Sequence, residues 1–360
     1  MKDRDRQTFG VDELAVVLSH YPLGVIESIT PFLRGSRKSP KVGIVAGRGK
    51  FVLKRRDLER AGLGRIRFSH ALQVHLMSCG FPLPRLMRPL EAEDTLLVHN
   101  EHVYELFEFV GGHDFKGTPG EVGDGGGILA RFHRAVESFE AQKDGTGPDY
   151  HDALAVRTGL NGIPARLSAH ESAVGKQAEV LGVAQALFDA YDRAAARSES
   201  EGLEGLDECI IHSDWHPGNM LFRNDRVAAV VDYDSVRRSR RVLDVANGLL
   251  QFSIAGEGSP ETWPDHVDEE RLGWFLAGYT SVGELSPVER RCLAPLMIEA
   301  LIAECVLPIA ATGSFGRLQG FGFMKIVLRK VRWLEANSTR LTGKFERAAD
   351  AAPGSRSSLS

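Results

Sequence analysis

The chain has 360 residues, 43% hydrophobic and 26% charged, with a formal net charge of −4. This is the composition of a globular protein with a sizeable core. The weak negative charge gives no ground for a nucleic-acid partner, and no apolar run approaches the ~20 residues that span a bilayer. Cys79, Cys209, Cys292 and Cys305 are scattered, with no C-x-x-C pair, and the start Met1-Lys2-Asp3-Arg4-Asp5-Arg6 lacks a signal-peptide core. Free thiols, a cytoplasmic location and no membrane partner are expected.

Residues 11–19 have helical spacing, with Asp12 and Glu13 in the first turn, where the helix dipole favours acids. Residues 24–56 then turn to short apolar runs: Val25-Ile26, Phe32-Leu33, Val42-Gly43-Ile44-Val45 and Phe51-Val52-Leu53-Lys54, with Gly47-Arg48-Gly49 as a hairpin turn. Before the third run lies Arg34-Gly35-Ser36-Arg37-Lys38-Ser39-Pro40-Lys41. Its backbone N–H groups, hydroxyls and cations suit an anion, and it reads equally well as an exposed basic turn. Residues 66–79 are helical by periodicity, closed by Gly80, and carry no acidic residue. Phe81-Pro82-Leu83-Pro84 is an extended connector. Residues 95–98 and 103–110 read as strands around a turn at 99–102, and Gly111-Gly112 permits a bend.

Beyond the bend the pattern is helical. Gly123-Asp124-Gly125-Gly126-Gly127 reads as the loop before a helix that starts at Ile128, since no Gly-Lys-Ser/Thr follows it. Helical spacing resumes from Ile163 to Tyr191, and 194–206 is a polar linker. The run Arg237-Arg238-Ser239-Arg240-Arg241 reads as a solvated turn before a helix at Val242, with Asp244 placed to bond nearby backbone. Residues 271–279, 287–309 and 323–337 are amphipathic helices. Glu299 and Glu304 fall on the second; facing inward each needs a partner, such as a cationic acceptor, and facing outward neither does.

The stretch 210–234 carries the chemistry. Ile210-Ile211 leads into His212-Ser213-Asp214-Trp215-His216-Pro217-Gly218-Asn219, then Met220-Leu221-Phe222; a second apolar run, Val227 to Val231, ends at Asp232-Tyr233-Asp234. Arg223-Asn224-Asp225-Arg226 is a turn signal, so the two runs form a hairpin. Pairing Phe222 with Val227 sets Asn219 opposite Val230 and Asp232 just beyond, while Asp214 lies in the loop feeding the first arm. Two carboxylates and an amide oxygen converge. One carboxylate can orient and deprotonate a hydroxyl while the other, with the Asn oxygen, holds Mg²⁺ against phosphates. A metallohydrolase using His212, Asp214 and His216 is a rival, poorly supplied because only His266 follows His216.

The pattern His-x-Asp-x-x-Pro-x-Asn followed by an apolar hairpin ending in Asp resembles the aminoglycoside phosphotransferase/choline kinase-like family, small-molecule kinases with a protein-kinase-like fold. The Asp-x-Ala at Asp244 also matches. The resemblance implies an α+β, two-lobed protein: an antiparallel-sheet N-lobe over 1–110 and a mainly helical C-lobe over 111–345. The Pro, Gly, Arg and Ser of Ala351 to Ser360 read by composition as a disordered tail, bounded at 346–360. The resemblance implies Asp214 as catalytic base, His212 as a brace of the loop, and Asn219 and Asp232 as Mg²⁺ ligands. Lys54 would meet the α- and β-phosphates of ATP, Ser36 would sit in the phosphate-covering loop, and backbone groups of Glu108 and Val110 would bond adenine. Asp234 is a candidate for a further metal or acceptor contact. The Glu that family members commonly carry on the helix after the lysine is missing, which leaves His70 or Gln73 as substitutes, or the lysine oriented by phosphate alone. The acceptor implied is a small-molecule hydroxyl (aminoglycoside, choline, homoserine or sugar-like), with no nucleic acid, no membrane and the oligomeric state open. The alternative is a nucleotide-binding pseudokinase or assembly protein without turnover.

Overall fold

The computed structural model describes residues 7–32, 39–140, 147–168, 175–254, 256 and 259–350. After helix α1 (Val11–Ser19) come strands β1 (Ile26–Phe32), β2 (Lys41–Ala46) and β3 (Gly49–Asp57). Helices α2 (Leu58–Ala61) and α3 (Leu63–Ser78) follow, then β4 (Leu86–Met87), β5 (Leu97–His99) and β6 (His102–Glu108). The sheet order is β1-β2-β3-β6-β4 with β5 also on β6, and every pair is antiparallel. The runs at Val25 and Phe32, expected as separate strands, are ends of the single strand β1. Its side chains are exposed along an edge, so no apolar alternation marks the middle.

Alternation along β3 sorts its side chains between two faces. Phe51 and Leu53 join Val17, Leu18, Tyr104 and Leu106 in a core under α1, and Arg55 on that face binds Glu13 at 2.7 Å. Val52, Lys54 and Arg56 point the other way, into a cleft.

The remainder is mostly helical: α4 (Pro119–Val136), α5 (Leu154–Leu167), α6 (Gln177–Ser200), α7 (Val242–Ser253), α8 (Glu269–Thr280), α9 (Pro287–Thr312) and α10 (Gly320–Asp350). Short pairs punctuate it: β7 (Glu208–Ile211) with β10 (Arg237–Arg240), β8 (Met220–Arg223) with β9 (Arg226–Val230), and β11 (Ser314–Phe315) with β12 (Leu318–Gln319). The glycine run is no loop: it lies inside α4, which starts at Pro119 behind the N-cap Thr118. The glycines let α4 and α8 touch backbone to backbone, because a Cβ on Gly126 would fall 2.1 Å from the Phe275 carbonyl oxygen. This close crossing fixes the hairpin. Asp124 accepts the Val227 N–H at 2.7 Å and Thr118 donates to Asp225 at 2.9 Å.

Three other expectations change. The polar linker is helix as far as Ser200, because Ala194, Ala195 and Ser198 are buried in its packing. The arginine run is strand β10, paired on β7, not a solvated turn. Helix α10 continues to Asp350 with Leu341 and Phe345 buried, so 346–350 is helix; 351–360 lie outside the described residues. Helix α9 is long and apolar enough to cross a membrane by length and composition alone, yet 83% of its apolar window is buried among the other helices.

Candidate active site

The hairpin turns on Asn224 and Asp225, both left-handed (φ 52° and 57°), as a two-residue turn between twisted strands requires. Phe222 pairs with Val227 as expected, but a bulge after Leu221 shifts the register. Asn219 therefore faces Val231, whose N–H it accepts at 2.9 Å, instead of Val230. The shift brings Asn219 next to Asp232. Asn219 Nδ2 donates to the Asp214 carboxylate at 2.9 Å and to its carbonyl at 3.1 Å. That orientation leaves Oδ1 of Asn219 without a partner among the described residues. Among the described residues Asp232 takes no hydrogen bond or ion pair, and it sits at φ 68° in the left-handed region.

The loop before Asn219 is held from α7. Asp244 accepts the N–H of His212 at 2.6 Å and of Ser213 at 2.7 Å, and Ser213 is left-handed at φ 65°. His133, itself bonded to the Tyr279 hydroxyl at 2.9 Å, backs Asp244 at 3.4 Å. The expected brace, His212, acts through its main chain. Its ring is fully buried among Phe132, Trp215 and Tyr233, with no partner for either nitrogen among the described residues. Burial lowers its pKa against the pull of Asp244, Asp214 and Asp232, so the ring is neutral. His212, Asp214 and His216 thus do not form a metal site, and among the described residues no group of three or more His, Cys, Asp or Glu does.

His216 Nδ1 accepts the Gly218 N–H at 3.0 Å, which leaves Nε2 facing Asp214 Oδ1 at 3.6 Å. Burial works to raise the Asp214 carboxyl; the His216 contact and charge, with Asn219, outweigh it, and the pKa falls below its usual value. The same partnership overcomes burial to raise His216.

A cavity of about 510 Å³ opens beside this loop, between the sheet and the hairpin. Its wall includes Lys54, Glu108, Val110, Asn219, Asp232 and Asp234; Asp214 joins it through the Asn219 contact. Lys54 Nζ lies 3.0 Å from Asp234 Oδ2. At the cavity edge the Glu108 N–H is used by the Arg85 carbonyl at 2.8 Å, whereas the Val110 N–H has no partner among the described residues. Ser36 falls within 33–38, outside the described residues. A groove of about 740 Å³ on the other side of the sheet is lined mainly by apolar residues of α1, β1 and β2 and holds no comparable set of groups.

Residues 29–285 match the family model "Phosphotransferase enzyme family", which is more than half of the chain. The chain belongs to this family. It is an ATP-dependent kinase of small-molecule hydroxyls. It is 23% identical over 286 residues to a homoserine kinase of Granulibacter bethesdensis, covering 79% of this chain and 81% of that one. Its structure is similar to an aminoglycoside phosphotransferase from Alicyclobacillus acidocaldarius (TM-score 0.68, 16% identity, 97% of this chain and 98% of that one). A microcompartment-associated aminopropanol kinase is as similar (TM-score 0.68, 15% identity, 92% and 99%). These likenesses show the two-lobed protein-kinase-like fold.

Two residues of the cavity wall, Arg56 and Glu105, carry no role in the sequence analysis. Glu105 is 0% exposed and receives Arg56 and His70, the latter at 2.7 Å. Burial would raise its pKa, but His70, Lys54 and Arg56 hold it at about 2. The available signal was a lone carboxylate inside the apolar run Val103-Tyr104-Glu105-Leu106-Phe107. On the helical side, Glu304 of α9 accepts from Gln251 and feels both His216 and Asp214, and burial pushes it up to about 7.

Proposed function

We propose that this kinase is Mg²⁺-dependent and transfers the γ-phosphoryl group of ATP to the hydroxyl of a small acceptor bearing an ammonium group. The reading is carried by one observation: Asp214 touches Asn219 on the wall of a cavity that Asn219 shares with Asp232 and Lys54. In this reading Asp214, kept ionised by His216 and Asn219, orients the acceptor hydroxyl. It takes the proton as the new O–P bond forms and the bond to ADP breaks. Asn219 Oδ1 and the free Asp232 carboxylate are hard oxygen donors that fit Mg²⁺, which takes its remaining ligands from phosphates and water. When bound, that ion offsets the negative charge of the phosphates.

Lys54 positions the α- and β-phosphates, the Glu108 carbonyl and Val110 N–H face adenine, and Ser36 is kept as a phosphate contact on family resemblance alone. His212 holds the loop's shape through packing and its N–H. The ammonium is assigned to Glu304. A largely buried carboxylate with one neutral partner beside the catalytic loop lacks a cation, and an ammonium would supply it. Homoserine and aminopropanol, named for the relatives above, are both amino alcohols.

The test is ATP consumption with a panel of amino alcohols and hydroxyl amino acids. Asp214→Asn should cut turnover about 10³-fold and leave ATP binding intact. Unchanged turnover in that variant would remove Asp214 from the reaction. ATP binding without turnover on any acceptor would favour a pseudokinase.

A further inference from the structure

Kinases of this architecture need the nucleotide lysine held at a fixed point, and in this chain α3 brings no carboxylate to do so. The α3 residue that lines the cleft is Gln73, whose Nε2 donates to the Ser69 carbonyl and Oγ at 3.2 Å. His70 is buried behind it and bonds Glu105 through Nε2 and Thr95 Oγ1 through Nδ1, each at 2.7 Å, and neither side chain bonds Lys54. The carboxylate on Lys54 comes from the other lobe. Asp234 Oδ2 is 3.0 Å from Nζ, and Oδ1 takes Nη2 of Arg56. Arg56 is fixed in turn by Glu105, with Nη2 3.1 Å from Oε1 and Nε on Oε2. Such a two-point contact fixes the plane of the guanidinium. Lys54 and Glu105 are also register partners across β3 and β6.

We propose that Asp234, held by Arg56 on the buried Glu105, is the positioning carboxylate of Lys54, so that this lysine is set from the 232–234 segment and not from α3. Helix α3 steadies the segment through its backbone: Ser69 Oγ donates to the Tyr233 carbonyl at 3.1 Å and Arg65 Nε to the Asp234 carbonyl at 3.1 Å. The lysine and Asp232 then move as one unit, because both are tied to the same short stretch.

The proposal rests on Lys54 meeting ATP, and its test separates the two claims. ATP and adenosine binding are measured by titration calorimetry in Mg²⁺, with an independent Mg²⁺ titration, for the full chain and five variants. Asp234→Asn and Arg56→Met should each weaken ATP about tenfold, as Lys54→Met does, with adenosine binding and the Mg²⁺ midpoint unchanged. Adding Asp234→Asn to Lys54→Met should cost nothing further, since both act through one contact. Arg56→Lys should recover most of the loss. If the double variant loses the full product of the single effects, or if Asp234→Asn shifts the Mg²⁺ midpoint, Asp234 acts on the nucleotide or metal directly and the proposal fails. Should Lys54→Met bind ATP as wild type does, the nucleotide role of Lys54 falls and takes the proposal with it.

Discussion

Glu299 and Glu304 lie on the same helix, α9, in opposite kinds of surroundings. Glu299 is 0% exposed and its oxygens are fully taken by His151 at 2.8 Å, the Asp152 N–H at 3.1 Å and Ser198 at 3.0 Å. His151 continues to Glu199, so this cluster ties α6, α9 and the approach to α5 together with no side left for a ligand. Among the described residues Glu304 has only Gln251 as a hydrogen-bond partner, and it sits in the field of His216 and Asp214. A buried carboxylate with its partners complete is a structural joint, whereas one with a partner missing is where a ligand contributes. The sequence reading left both residues open between a cationic acceptor and solvent; Glu299 faces neither.

The comparison can be broken in three ways. Removing the joint should have the largest effect. Glu299→Ala leaves His151 short of its main counter-charge and should destabilise the fold by about 3 kcal/mol, read as a lower denaturant midpoint, with ATP binding by the folded fraction unchanged. A pH series sharpens it. His151 is opposed by burial but raised to about 9 by Glu299 and Glu199. Its contribution to stability is therefore full below the unfolded value of 6.5 and disappears as pH rises through about 9. In Glu299→Ala that alkaline loss should be smaller.

Removing the open carboxylate should act on substrate instead. Glu304→Gln should raise the KM of a cationic acceptor about tenfold and leave KM for ATP and the unfolding midpoint where they are. A large loss of stability with no change in acceptor KM would make Glu304 a second joint. The smallest expected effect is a shift in pH profile. Without His216, burial is less opposed at Asp214, so His216→Gln should move the acid limb of kcat/KM upward by less than ~1 pH unit. A limb that stays put would mean the imidazole does not govern Asp214.

The fold class and the hairpin were legible because their signals are local. Apolar alternation, an Asn-Asp turn and the close spacing of His212, Asp214 and Asn219 all lie within a few residues of one another. Even there the reading was one residue off at Val230, since a bulge leaves no mark in hydrophobicity. The glycine run of α4 was misread for the opposite reason. Glycine argues against helix in isolation, and only the α8 backbone lying against it makes glycine a packing requirement.

By itself the sequence determined the chemistry of one short ribbon: which side chains are acids, which amide stands beside them, and that two strands bring them to one end. The tertiary structure alone decided who serves them. Asp244 reaches the His212 loop from α7, Asp234 reaches Lys54 from the opposite lobe, and Glu304 of α9 feels the charges of that loop's Asp214 and His216. Such pairings depend on where distant segments pack. A charge in the sequence shows what a residue can do once buried, and only the packed neighbours fix whether it holds the fold together or waits for a ligand.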